Sequence, residues 1–252
     1  MRFLVGLLGI LSAQAAFGWG LSSELNESWA GARLVFPALR EKAITYCLRN
    51  EAPDRFDNES VALQVESALH LWLSAAGAED VKISRLPNCS GSFHLLVQIG
   101  EEKRWPGLGS YQLSSWDKTH SYSLVKFDSG FVSNIGGSKT PIVDFRRFSR
   151  DPAAISAQLK RISVEEPQTV QAFAKASTLD PNAVFWSTYP SLIHELGHSF
   201  GLCDTYEAPM KDQCDPAYST PEQPSSVMKD STYFYLTTDD TTAIQRLFQR
   251  FR

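Results

Sequence analysis

Long apolar runs are nearly missing from this 252-residue chain. The one present, Phe3-Leu4-Val5-Gly6-Leu7-Leu8-Gly9-Ile10-Leu11, stands at the very start and is too short to span a bilayer comfortably. No membrane span is therefore expected. Basic clusters are equally scarce: the formal net charge is −4, and the densest basic runs are Arg146-Arg147 and Arg246, Arg250 and Arg252. That balance gives no electrostatic footing for a nucleic-acid partner. Repeats, low-complexity tracts and charged linker blocks are absent, as is any Cys-x-x-Cys pair of the kind that builds thiolate zinc sites. With 43% hydrophobic and 21% charged residues, disorder is excluded, and the length suits one sizeable core.

What is present begins at the N-terminus. Arg2, the short apolar run and the small residues Ser12-Ala13-Gln14-Ala15-Ala16 have the three-part order of a secretory signal peptide. Residues 1–18 are assigned to it, with the mature chain starting near Ala16 to Trp19, so a secreted or periplasmic monomer is expected. Residues 19–40 read as a leader of uncertain structure and 41–252 as the folded domain. The four cysteines, Cys47, Cys89, Cys203 and Cys214, suggest two disulfides in an exported chain, with three pairings possible. Cys47–Cys89 and Cys203–Cys214 are favoured; the second closes a short loop, and the first ties an early strand to the region after the first helix. Asn-x-Ser sequons at Asn26, Asn58 and Asn88 matter only in a host that glycosylates.

The pattern of apolar residues predicts an α+β fold, with a small twisted mixed sheet, a backing helix, an active-site helix and an irregular C-terminal part ending in a helix. Strands are expected over 43–48, 81–84, 93–99, 122–127 and 142–145. Helical spacing of Val61, Val65, Ala68, Leu69 and Trp72 predicts a helix over 58–76, with Asn58 as cap and Gly77 as stop. Further helices are expected over 152–161, 170–176 and 187–201, and a last one over 239–251, capped by Thr238, with Ile244, Leu247, Phe248 and Phe251 facing inward. Residues 202–237, rich in Pro, Asp, Ser and Tyr, read as irregular.

The chemistry lies in His194-Glu195-Leu196-Gly197-His198. Residues four apart share a helix face, so both imidazoles can reach one metal ion. Glu195 sits one step round, able to meet a metal-held water without itself being a ligand. Catalytic zinc commonly takes three protein ligands and keeps one position open, so a third ligand must come from elsewhere. Gly201 provides a residue that can adopt the left-handed turn ending the helix, which brings Asp204 back towards the metal face. His70, His94 and His120 are isolated and read as surface or satisfied core histidines.

The run His194-Glu-Leu-Gly-His198-Ser-Phe-Gly201-Leu-Cys-Asp204 resembles the signature of the metzincin clan of zinc peptidases, in its snapalysin-like form with Asp as third ligand. Ser225-Ser226-Val227-Met228 is similar to the clan's methionine-containing turn, and the stretch from Leu236 to Phe248 resembles the start of the C-terminal helix in matrix metalloproteinases. The likeness runs from about residue 187 to the end. It implies one zinc ion on His194, His198 and Asp204, with Glu195 as general base for the zinc-held water. It also implies hydrolysis of peptide bonds in protein or peptide substrates. Three features depart from the clan's wider pattern: the third ligand is Asp204 rather than the commoner His, Asp230 stands where some branches have a tyrosine, and no cysteine-containing inhibitory propeptide pattern is visible. An inactive zinc-retaining binding protein and a zinc amidohydrolase acting on a non-peptide substrate are the rival readings.

Overall fold

The computed structural model describes residues 20–22, 34–51, 53, 58–99, 109–113, 122–127, 151–165, 188–203, 214–219, 226–228 and 235–252. The expected signal peptide, the strand over 142–145, the helix over 170–176, His120 and Asp204 lie outside them.

Among the described residues, seven strands and four α-helices follow one another as β1 (Gly20–Ser22), β2 (Ala43–Asn50), α1 (Asn58–Ala75), β3 (Lys82–Arg85), β4 (Leu95–Ile99), β5 (Gly109–Leu113), β6 (Ser123–Phe127), α2 (Pro152–Glu165), α3 (Thr188–Phe200), β7 (Cys214–Ser219) and α4 (Thr238–Phe251). β2 to β6 form one sheet in the order β3-β2-β4-β6-β5. β2, β3, β4 and β6 run parallel, and β5 is an antiparallel edge strand beside β6. The expected mixed sheet with helices is therefore found. Leu95-Leu96-Val97-Gln98-Ile99 of β4 is buried along its whole length, as a strand inside a parallel sheet must be.

α1 forms because its apolar residues recur every third or fourth position, and Val65, Ala68, Leu69, Trp72 and Leu73 are fully enclosed. It packs against both α2 and α3. The expected stop at Gly77 is observed, with φ +65°. Cys47 on β2 and Cys89, in the turn before β4, form the first of the favoured disulfides, with Cα atoms 5.5 Å apart.

Four expectations need correction. Residues 34–38 are not an undefined leader: Leu34, Val35, Phe36 and Ala38 are buried in the main core, and a π-helical turn over Pro37–Glu41 leads into β2. Burial of that apolar quartet overrides the polar neighbours that obscure it. β5, Gly109–Leu113, is a strand beyond the five expected from the sequence, in a stretch whose glycines and proline at 106–109 signal a turn. β7 lies in the stretch expected to be irregular and pairs antiparallel with β1. The cap of α4 is Thr237, not Thr238: its hydroxyl accepts from the Asp240 N–H while the Asp240 carboxylate accepts from the Thr237 N–H, a closed capping box. Among the described residues no helix is long and apolar enough to cross a membrane.

Candidate metal centre

α3 carries the His194–His198 pentapeptide. Leu192, Ile193, Leu196 and Phe200 turn one face of it into the core, each no more than 2% exposed. α1 holds that face by two buried polar contacts. The Ser67 and Tyr189 hydroxyls meet at 2.9 Å, and Trp72 Nε1 donates to the Ile193 carbonyl at 2.9 Å. Both contacts lie within about a turn and a half of His194, so the backing helix sets where the histidines stand.

The two imidazoles sit one turn apart, with ring centroids separated by 4.9 Å and planes crossed at 86°. His194 is buried and His198 half-buried. Each Nδ1 faces a backbone carbonyl: His194 that of Val227 at 2.8 Å, His198 that of Leu202 at 2.9 Å. A carbonyl oxygen can only accept, so each Nδ1 carries the hydrogen. Each ring lone pair is thereby put on Nε2, the tautomer in which a histidine serves as a metal ligand. His94 shows the opposite arrangement. Its Nδ1 accepts from the Thr45 N–H at 3.0 Å and its Nε2 lies 3.3 Å from Glu41, so its ring is used up in joining the start of β2 to β4. That agrees with its reading as a structural histidine.

The Leu202 carbonyl arrives through the end of α3. Gly201 has φ +110°, outside the range an L side chain tolerates without strain. Its N–H donates to the His198 carbonyl at 2.8 Å, and the Leu202 N–H donates to that of Gly197 at 3.0 Å. This is the Schellman closure of a helix. The same turn that satisfies the last carbonyls thus places the acceptor for His198.

The Val227 carbonyl arrives from the buried turn Ser226–Met228, which falls within the stretch expected from sequence at 225–228. Met228 lies beneath Gly197. A methyl group placed on Gly197 would stand 3.0 Å from the Trp72 ring and 3.2 Å from the Met228 methyl, with the Met228 sulfur closer still. The missing side chain at 197 is what lets the turn approach the helix. Behind the turn lies Asp240. Burial pushes its carboxyl above the ordinary aspartate value, while hydrogen bonds from Ser226, Thr237 and Val227 pull it back.

Glu195 is 7% exposed on α3 between the histidines, where the low local dielectric strengthens the hydrogen bonds it makes. Asp204 follows directly on Cys203, which is buried and disulfide-bonded. Among the described residues no group of three or more His, Cys, Asp or Glu side chains is gathered to hold a metal ion. The structure therefore brings His194, Glu195 and His198 onto one helix and leaves Asp204 outside the described residues. The carbonyls of Leu202 and Val227 and the Trp72 hydrogen bond escaped sequence reasoning. No protein-family model matches the chain, and no curated protein matches it.

Proposed function

We propose that this chain is an exported zinc metalloendopeptidase of metzincin type, holding one zinc ion on His194, His198 and Asp204. One observation carries the reading: both histidines of the pentapeptide give their Nδ1 hydrogens to backbone carbonyls, so both Nε2 atoms bear lone pairs one helical turn apart. A structural helix has no need of two such matched tautomers. A zinc ion held by those residues would supply the Lewis acidity that acidifies water and polarises a carbonyl group. Glu195 takes the proton from the attacking water and passes it to the leaving amine. Holding a metal does not require that carboxylate, which is why catalysis is preferred over mere zinc retention. The edge strand β5 lies against α3. An extended peptide pairing with such an edge would pass along the helix that carries Glu195, which suits a peptide substrate.

Casein zymography of the full chain tests this. Clearing that a chelator abolishes and zinc restores is expected. Zinc binding with no cleavage of casein or of a broad peptide library would overturn the peptidase reading in favour of its rivals.

A further inference from the structure

The carboxylate of Asp240 is tied to two parts of the fold at once. Towards α4 it closes the capping box, accepting from the Thr237 N–H at 2.8 Å and from the Thr237 hydroxyl at 2.7 Å. Towards the Ser226–Met228 turn it accepts from the Ser226 hydroxyl at 2.6 Å, and from the Val227 N–H at 3.2 and 3.1 Å to its two oxygens. Ser226 Oγ in turn accepts from the Met228 N–H at 3.0 Å. The same turn presents the Val227 carbonyl to His194 Nδ1. Asp240 is itself only 2% exposed.

We infer that Asp240 is a positioning residue for His194, holding through the Ser226–Val227 backbone the carbonyl that sets the orientation and tautomer of that imidazole. The physical ground is the count of donors. A buried carboxylate that accepts from two backbone N–H groups and two hydroxyls has its acceptor positions committed in fixed directions, so the turn cannot slide without breaking several charge-assisted bonds at once. Asp239, its neighbour, is buried as well. An ordinary helix start needs an acidic residue only for its cap and dipole, and the Thr237 contacts meet that need. The bonds to Ser226 and Val227 are additional.

The inference rests on the zinc reading of His194, but its test separates the two. Zinc affinity is measured by chelator competition on the full chain and on Asp240→Asn, Ser226→Ala and Thr237→Ala. The His194 side-chain Nδ1–H signal is followed in the metal-free proteins by nitrogen–proton NMR. Asn at 240 turns an NH2 group towards the donors and breaks the grip on the turn, so Asp240→Asn should bind zinc about 10–100-fold more weakly. It should also shift or lose the His194 Nδ1–H signal. Ser226→Ala should move both readouts in the same direction by less, and it carries the test should Asp240→Asn fail to fold. Thr237→Ala removes one hydroxyl donor on the cap side and leaves the Ser226 and Val227 bonds to Asp240 in place; it should lower the melting temperature and move zinc affinity and the His194 signal less than Ser226→Ala does. Wild-type affinity and an unmoved His194 signal in both Asp240→Asn and Ser226→Ala would overturn the inference. So would equal losses in Thr237→Ala and Asp240→Asn, since the effect would then be helix stability. A wild-type chain that binds no zinc defeats the metallopeptidase reading, and the metal-free NMR comparison still decides this one: a signal displaced by Asp240→Asn upholds it, an undisturbed signal ends it.

Discussion

Gly197→Ala sets two known effects against each other at one atom. In an exposed helix interior this substitution stabilises by about 1 kcal/mol, because alanine loses less conformational freedom than glycine. Here the new methyl would meet the Trp72 ring at 3.0 Å and the Met228 methyl at 3.2 Å, with the Met228 sulfur nearer. Met228 is a flexible side chain and yields more easily than backbone. It is only 2% exposed, however, so it has no solvent to swing into. Trp72 cannot retreat, being wholly buried and hydrogen-bonded to the Ile193 carbonyl. Overpacking a filled core costs about 1–3 kcal/mol. The net expectation is a loss of about 0–2 kcal/mol, or a melting temperature lowered by up to about 4–8 °C for a domain of this size. Function should suffer more than stability. Displacing Met228 moves the turn whose Val227 carbonyl orients His194, and a shift of about 1 Å at a reacting group can cost about 100-fold in rate. Thermal melts of the metal-free protein and casein hydrolysis at saturating zinc measure the two quantities. A double variant with Met228→Ala should recover part of the melting loss, because the two residues share one space. A rise of about 2–4 °C in Gly197→Ala, the full helix-propensity gain, with unchanged hydrolysis would refute the close packing of turn on helix.

Gly201→Ala forces a side chain into a backbone with φ +110°, so it should cost at least about 1–2 kcal/mol in urea denaturation. It should also loosen zinc, since the Leu202 carbonyl that orients His198 follows directly; unchanged stability would contradict the helix ending described. Removing the Cys47–Cys89 bridge by double substitution to Ala should cost about 4 kcal/mol on chain-entropy grounds for a sequence separation of 42, and a loss near zero in denaturant would contradict that account. Asp204→Ala should strip the protein of zinc under dialysis against a mild chelator, while Glu207→Ala, which removes the other carboxylate shortly after Gly201, keeps it; the reverse pattern would move the third ligand to Glu207.

The helices that carry the site were legible because their apolar residues recur at helical spacing. Val65, Leu69 and Trp72 on α1 and Leu192, Ile193 and Leu196 on α3 are buried as that spacing requires. β7 was not legible. Cys214-Asp-Pro-Ala-Tyr-Ser contains residues that strands avoid, and its pairing with β1 joins Gly20 to Ser219 across most of the chain. Local propensity carries no record of a partner so distant. The histidine pair was legible for the opposite reason, since two ligands on one helix need only a spacing of four. What orients them was hidden. Every residue has a carbonyl, so nothing in the letters Leu202 or Val227 marks them as acceptors; only the backbone path does. Asp240 illustrates the same limit. In the sequence it is one of two acids in a helix's first turn, and only folding brings Ser226 and Val227 to its carboxylate. Asp204 stands as a ligand on the resemblance of the run from His194 to Asp204, as part of the proposal.

The most direct test compares zinc content and proteolysis in the wild-type chain and Glu195→Gln. Replacing the buried Glu195 by its amide keeps size and shape, removes the base and leaves His194 and His198 on their carbonyl partners. Metal analysis after purification should find one zinc per chain in both proteins, with casein cleavage in the wild type alone. Wild-type protein without zinc, or a Glu195→Gln variant that digests casein at the wild-type rate, would contradict the account.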